Sequence, residues 1–144
     1  MHKITIRLEE EDEIWALFDQ SLAHIFVADF CPEEAARWDL AQIQIGRHPL
    51  LQDIMVRHLR FDVHTDLEGL QKLLAFGTRH LRVYQSKQPI SQSLEPKYLK
   101  AASREKILAQ NGIRHFFFLS YEFVEVESFD ADFIASLEAR FNCI

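Results

Sequence analysis

Residues 113–127 place the strongest constraint on the fold of this chain. They contain four consecutive apolar residues, Phe116 to Leu119, so an extended chain would carry apolar side chains on both of its faces. Such a strand is normally central in its sheet and covered on both sides. Beyond it, Val124 and Val126 alternate with glutamates, which predicts that the strand then emerges to solvent. The sequence therefore predicts a sheet with helices on at least one face.

Three shorter segments alternate between apolar and polar residues, which is the period of a half-buried strand. They are residues 3–8, 58–64 and 80–84. Together with residues 113–127 they predict a sheet of four or five strands that is at least partly antiparallel.

Apolar residues spaced by three and four predict several helices. The first covers residues 14–26 and follows an acidic run at 9–13, whose carboxylates favour the positive end of a helix dipole. The other helices are predicted to begin at prolines or capping residues. The second helix covers residues 32–45, with 41–45 as an alternative strand, and a short helical turn holds Leu50, Leu51 and Ile54. A further helix runs from the capping box Thr65-Asp66-Leu67-Glu68 to Gly77. The last two are a helix over residues 96–109, ended by Asn111-Gly112, and a final helix capped by Ser128.

Length and composition indicate an α+β protein with a single compact domain over residues 1–144. Of the 144 residues, 48% are hydrophobic and 26% are charged, with four glycines and four prolines. These values fit a globular chain and exclude disorder. We expect four to six helices packed with the four- to five-stranded sheet. No apolar window predicts a membrane span or a secretory leader, so we expect a cytoplasmic protein.

Charge is sorted along the chain. Residues 1–39 carry ten acidic and three basic side chains, residues 40–115 carry six and twelve, and residues 116–144 carry six and one. The formal charges of the three segments are therefore −7, +6 and −5, which give the net charge of −6. A cationic strip inside an anionic protein is either neutralised by the ends of its own chain or faces an anionic partner.

Basic and aromatic residues share one predicted face of strands 58–64 and 80–84. Arginine, histidine and tyrosine on a sheet surface suit phosphates, carboxylates or stacked bases, whereas an ordinary wetted face is the alternative. Four histidines also follow an arginine directly. The predicted anion- or partner-binding residues are Arg57, His58, Arg60, His64, His80, Arg82, Tyr84, Arg114 and His115.

The sequence contains no motif for catalysis, metal binding or cofactor binding that is specific enough to support an assignment. His58, Asp62 and His64 are the best metal candidates, but alternate residues of a strand lie too far apart for all three to share one ion. Glycine-rich phosphate loops and nucleophile motifs are not found. Cys31 and Cys143 show no metal-like spacing. We expect no metal and no cofactor, and we favour a protein that is not an enzyme.

Tyr121, Phe123 and Glu125 form the predicted protein interface, since they are amphipathic, flanked by acids and expected at a sheet edge. The leading functional hypothesis is a cytoplasmic binding protein that acts by macromolecular contact, as an inhibitor, an immunity-type protein or a chaperone or adaptor. Its expected partner is another protein, such as a basic toxin, effector or enzyme; a homodimer is an alternative, and no membrane is expected. The second hypothesis is anion or nucleic-acid binding, with or without hydrolysis, on the Arg/His-rich face.

Overall fold

The structure, a computed structural model, describes most of the chain. The described residues are 1–9, 13–30, 53–57, 60–74, 81–90, 101–120 and 122–144, with 13, 29–30, 53–57, 60–62 and 101–103 described in backbone only.

The described strands form one antiparallel sheet in the order β3-β4-β2-β5-β6-β7-β1-β8. Seven of them have five to seven residues and β8 has two. Their bounds are β1 His2–Arg7, β2 His24–Phe30, β3 Asp53–Arg57, β4 Arg60–Thr65, β5 Leu81–Ser86, β6 Ile113–Leu119, β7 Phe123–Ser128 and β8 Asn142–Cys143.

Four helices are described, and they lie on both faces of the sheet. They are α1 Glu13–Ala16, α2 Leu67–Leu74, α3 Ala101–Gln110 and α4 Ala131–Arg140. Helix α2 packs on β2 and β4, α4 packs on β1 and β7, and α3 packs on β6. We call the two sides of the sheet the α2/α4 face and the α3 face.

The sheet separates two apolar cores because successive side chains of a strand point to opposite faces. On β6, Phe117 belongs to the core of the α2/α4 face, whereas Phe116 belongs to the core of the α3 face. Both side chains are buried. The predicted central strand, apolar on both faces and covered on both sides, is therefore confirmed for Ile113–Leu119.

The α+β class and the antiparallel sheet are confirmed, but the sheet has more strands than the four or five predicted. One reason is that residues 113–127 form a hairpin, β6 and β7, rather than one strand. Strand β7 lies between β6 and β1, so it does not emerge to solvent, and Glu127 is buried. The predicted sheet edge at Phe123 and Glu125 is wrong for the same reason.

The helix predicted over residues 14–26 is wrong beyond Ala16. The Asp19 carboxylate accepts hydrogen bonds from the backbone N–H and the hydroxyl of Ser21, a local turn that competes with a helix. The apolar residues that follow enter β2, where Ile25 and Phe26 are both buried. A run that is apolar on both faces fits a central strand better than one helix face.

Two predicted caps were placed too early in the sequence. Helix α2 is capped by Asp66, whose carboxylate accepts from the N–H of Gly69, whereas Thr65 ends β4. Helix α4 is capped by Asp130, which accepts from the N–H groups of residues 132 and 133, whereas Ser128 ends β7. In both cases a carboxylate one or two residues after the predicted hydroxyl provides the cap.

Other predictions have mixed outcomes. The predicted strands at 3–8 and 80–84 correspond to β1 and β5, and part of 58–64 corresponds to β4. The helix predicted to end at Asn111-Gly112 is α3, and Gly112 adopts a left-handed φ of 68° that favours glycine. Ile54 lies in β3 rather than in a helical turn. The helix predicted at 32–45 lies outside the described residues. None of the described helices is long and apolar enough to cross a membrane.

Candidate functional site

The predicted binding residues lie on both faces of the sheet. Tyr84 lies on the α3 face, fully buried between Phe26 and Phe116 at ring-centroid distances of 5.8 and 5.0 Å. His115 lies on the opposite face and is also fully buried. Both side chains are therefore inaccessible to a ligand on a wetted face, and a platform that contains both is wrong.

The other predicted members of that platform have different surroundings. His64 and Arg82 are half-buried on the α3 face, where the His64 ring lies 4.7 Å from that of Phe26. Arg114 is exposed. Four predicted members lie outside the residues whose side chains are described: Arg57, His58, Arg60 and His80.

His115 is part of a buried polar cluster on the α2/α4 face. Three neighbouring strands place Gln85, His115 and Ser128 opposite one another in register. His115 Nδ1 lies 2.6 Å from Ser128 Oγ, and Nε2 lies 2.9 Å from Asp19 Oδ2. The imidazole also stacks on the Phe133 ring at 3.8 Å. We call Asp19, Gln85, His115 and Ser128 the histidine cluster.

Gln85 holds the main chain of the turn that carries Asp19. Its Oε1 accepts from the Asp19 N–H at 3.0 Å, and its Nε2 donates to the carbonyls of Asp19 and Leu22 at 3.0 and 3.2 Å. The backbone of Asp19 is thus fixed by one buried strand residue and its side chain by another. Such double support orients a carboxylate before any ligand arrives.

Burial favours the neutral form of the His115 imidazole. Burial lowers the pKa of His115 below its ordinary 6.5, and the hydrogen bond and charge of Asp19 oppose this shift without cancelling it. A neutral ring that donates from Nε2 to the carboxylate must accept at Nδ1 from the Ser128 hydroxyl. In this tautomer the ring carries its proton on Nε2, and the single proton of the Ser128 hydroxyl is directed to Nδ1 rather than to the Arg114 carbonyl, which lies 3.2 Å away.

Asp19 remains ionised. Burial alone would raise the pKa of its carboxyl, but hydrogen bonds from Ser21 and His115 outweigh burial and hold the pKa below 3.8. The carboxylate accepts from three described donors, two of Ser21 and one of His115. Since a carboxylate has about four acceptor positions, Asp19 can accept one further hydrogen bond.

The side-chain set of this cluster is that of a hydrolase triad, but its geometry does not support nucleophilic catalysis. Ser128 is fully buried, and its Oγ already accepts from the N–H of Asp130 at 2.9 Å. A nucleophilic hydroxyl must reach a bound substrate. In this cluster it is the carboxylate, with its side chain 21% exposed, that approaches solvent.

A cleft of about 480 Å³ opens beside that carboxylate. Its walls come from the segment around α1 and from α4. Trp15 and Phe133 supply half-buried aromatic surface, and Asp19 and Arg140 supply opposite charges. The lining residues are Trp15, Ala16, Phe18, Asp19, Gln20, Phe133, Ser136 and Arg140.

Arg140 joins the two walls of the cleft. Its Nε donates to the Ser136 carbonyl at 3.3 Å and its Nη1 to the Ala16 carbonyl at 3.4 Å. The guanidinium carbon also lies 5.4 Å from the centre of the Phe141 ring. The cation is therefore held by backbone and by an aromatic ring as well as lining the cleft.

A second buried charge lies under α3 on the opposite face. Glu127 Oε1 accepts from Arg104 Nη2 on α3 and lies 3.5 Å from Lys3 Nζ on β1. The Glu127 side chain is 4% exposed and that of Arg104 is 15% exposed. Arg104 also lies over the Phe116 ring at 4.8 Å. We call Lys3, Arg104 and Glu127 the glutamate cluster.

The predicted interface residues are only partly described. Phe123 is half-buried, with the guanidinium carbon of Arg7 5.7 Å from its ring centre. Glu125 is half-buried opposite Thr5 in β1, and Tyr121 lies outside the described residues. Their role as an interface stays a prediction.

Searches among known proteins identify no relative of this chain. No family model, no curated protein and no solved structure matches it. Within the described part of the chain, no group of three histidine, cysteine or acidic side chains could hold a metal ion.

Sequence reasoning missed the histidine cluster and the cleft because their members are distant in the sequence. Asp19 and His115 are 96 positions apart, and no local pattern connects them. The one local signal was the Asp19-x-Ser21 turn, which is typical of a side chain that caps its own backbone. It was overlooked because the surrounding apolar spacing fitted a helix.

Proposed function

We propose that this protein binds a basic protein partner at the surface where its two acidic segments meet. It would act by contact, as an inhibitor, immunity-type protein or adaptor in the cytoplasm. The observation that carries the proposal is the cleft, whose described walls come only from residues 15–20 and 133–140. These belong to the segments with formal charges of −7 and −5.

Strand pairing supports the same surface. Strand β1, from the first acidic segment, lies between β7 and β8, from the second. Exposed acids of both segments occur here, including Glu9 and Glu122 where β1 and β7 meet. Complementary charge speeds encounter with a partner and excludes wrong partners more than it adds affinity.

The cationic middle of the chain is partly neutralised inside the protein. Arg104 of the middle segment pairs with Glu127 of the C-terminal acidic segment. His115 is bound to Asp19 as a neutral ring. These contacts favour neutralisation by the ends of the chain over a continuous anion-binding strip. The described residues offer no observation that favours the nucleic-acid alternative.

The experiment is affinity capture with identification of the captured protein. Wild type is compared with a variant that reverses charge at two exposed acids, Glu122→Lys and Glu138→Lys. The control is Glu68→Lys, an exposed acid of α2 in the basic middle. We expect wild type and the control to retain the same basic protein, and the double variant to lose it.

Salt gives a second readout, because screening weakens contacts between exposed charges. Retention should fall as salt rises. Equal capture by the double variant, or a captured partner without basic character, would contradict the proposal. Light scattering separately tests the homodimer, whose mass would be twice that of one chain.

A further inference from the structure

We infer that the cleft between α1 and α4 receives an arginine side chain of a binding partner. This inference rests on the proposed function and names the residue type that the acidic surface recognises. It depends on three properties of the cleft: an ionised carboxylate, flat aromatic walls and an anionic setting.

The carboxylate is the first requirement. Asp19 lines the cleft, carries a full negative charge and has an acceptor position that the described donors leave open. Because His115 is neutral, the cluster behind Asp19 contains no cation that cancels its charge. A guanidinium N–H that reaches Asp19 would therefore form a charge-assisted hydrogen bond.

The aromatic walls are the second requirement. Trp15 and Phe133 both line the cleft and are half-buried, so each offers part of its surface to a ligand. Phe133 is held from behind by its stack on His115 at 3.8 Å, and Trp15 contacts Phe18 at 6.2 Å. A planar guanidinium can stack on such rings while it donates to a carboxylate.

The anionic setting is the third requirement, and Arg140 opposes it. Arg140 lines the cleft but is held on two carbonyls and over Phe141. The charged lining of the cleft is one carboxylate, Asp19, and one guanidinium, Arg140, and the excess negative charge belongs to the two segments taken over their full length. Asp19 therefore selects a positively charged ligand on condition that Arg140 repels that ligand only weakly. That condition makes Arg140 the most discriminating position to change.

The first test is a titration of the isotope-labelled full chain with N-acetyl-arginine amide, followed by NMR. N-acetyl-citrulline amide is the control probe, since it has nearly the same shape without the charge. We expect saturable shifts of the Trp15 indole N–H and of the backbone signals of Asp19 and Gln20 with arginine, and much smaller shifts with citrulline. Equal shifts with both probes, or arginine shifts elsewhere on the surface, would overturn the inference.

Variants then assign the contacts. Asp19→Asn should weaken binding of the arginine probe by about tenfold or more, since a hydrogen bond to a charged group is lost. Trp15→Leu should weaken it by a smaller factor. Arg140→Gln should strengthen it, because a repulsive charge is removed. Weaker binding in Arg140→Gln would show that Arg140 supports the cleft by joining its two walls more than it repels the probe, and would overturn the selection of a cation by charge. Each variant's NMR spectrum reports whether it is folded.

The outcomes separate this inference from the proposed function. A basic partner captured equally by wild type and by Trp15→Leu, with no arginine shifts in the cleft, rejects the arginine site but leaves binding of a basic partner at the wider acidic surface supported. Arginine shifts in the cleft without any basic partner in the capture experiment would reject the proposed function and leave the arginine site supported.

Discussion

The histidine cluster and the glutamate cluster stabilise a carboxylate within the fold in different ways. Each lies on one face of the same sheet, and each joins an acidic residue of a terminal segment to a basic or histidine residue of the middle segment. Glu127 is neutralised by a cation, Arg104, with Lys3 near the same oxygen. Asp19 is bonded to a neutral ring and keeps its charge.

This difference separates a structural contact from a candidate binding group. The ion pair of Arg104 with Glu127 holds α3 against the sheet and leaves little charge for a ligand. A carboxylate that is supported by neutral donors and 21% exposed at a cleft can still attract a cation. The location of charge along the sequence is therefore less informative than which buried charges remain uncompensated.

The largest effect is expected from Arg104→Ala. It leaves Glu127 buried with only the half-exposed Lys3 near its carboxylate, and removing one partner of a buried pair costs about 3–5 kcal/mol. We expect the free energy of unfolding, measured by urea denaturation, to fall by about that amount.

The control for this prediction is the double variant Arg104→Met with Glu127→Gln. Replacing both members of a buried pair is often close to neutral, so the double variant should recover most of the lost stability. If Arg104→Ala costs less than about 1 kcal/mol, the typical value of an exposed pair, the glutamate cluster is not a buried pair in solution.

The next largest effect is expected from His115→Phe. Phenylalanine keeps a ring against Phe133 but forms no hydrogen bond with Asp19 or Ser128, so the buried Ser128 and the partly exposed Asp19 each lose a partner. We expect a loss of about 2–3 kcal/mol in the urea-derived free energy of unfolding. His115→Ala should cost more, because it also leaves a cavity. A His115→Phe variant as stable as wild type would show that the buried hydrogen bonds contribute nothing.

Much of the fold could be predicted from local patterns in the sequence. Alternation found β1 and β5, the apolar run found the central strand β6, and Asn111-Gly112 marked the end of α3. The failures arose where local spacing fitted two structures. Residues 14–26 have helical spacing, yet the turn at Asp19 ends the helix. Ile25 and Phe26 then enter a strand because they are buried on opposite faces of the sheet. That burial depends on residues that are distant in the sequence.

The candidate site could not be predicted, for a physical reason. The pleat correctly places His64, Arg82 and Tyr84 on one face, but only the packing of α3 shows that Tyr84 is covered. The register of β5, β6 and β7 decides which residues meet His115, and a change of one residue would move it to the other face. Sequence alone gave His115 the role of an exposed cation, whereas the fold makes it a buried neutral ring.

A third prediction concerns pH and belongs to the histidine cluster. Because the pKa of His115 is lower in the folded protein than the ordinary 6.5, the unfolded chain binds a proton first as pH falls. Stability is therefore lost below about pH 6.5, by up to about 1.4 kcal/mol per pH unit. Urea denaturation at a series of pH values should show that His115→Phe costs less in mild acid than at neutral pH. A cost that grows in acid would mean that the His115 pKa is raised.

The smallest effect is expected from Lys3→Ala, and it tests how closed the glutamate cluster is. The Lys3 side chain is 56% exposed, so solvent screens its attraction to Glu127 and the loss should be below about 1 kcal/mol. The exposed Lys87→Ala is the charge-matched control. In the Arg104→Ala background Lys3 becomes the nearest described cation to Glu127, so the same substitution should cost more there, with a coupling of at least about 0.5 kcal/mol. Additive losses would mean that Lys3 contributes no more to Glu127 when Arg104 is absent than when it is present, and that the buried charge of Glu127 can remain without a closer compensating cation.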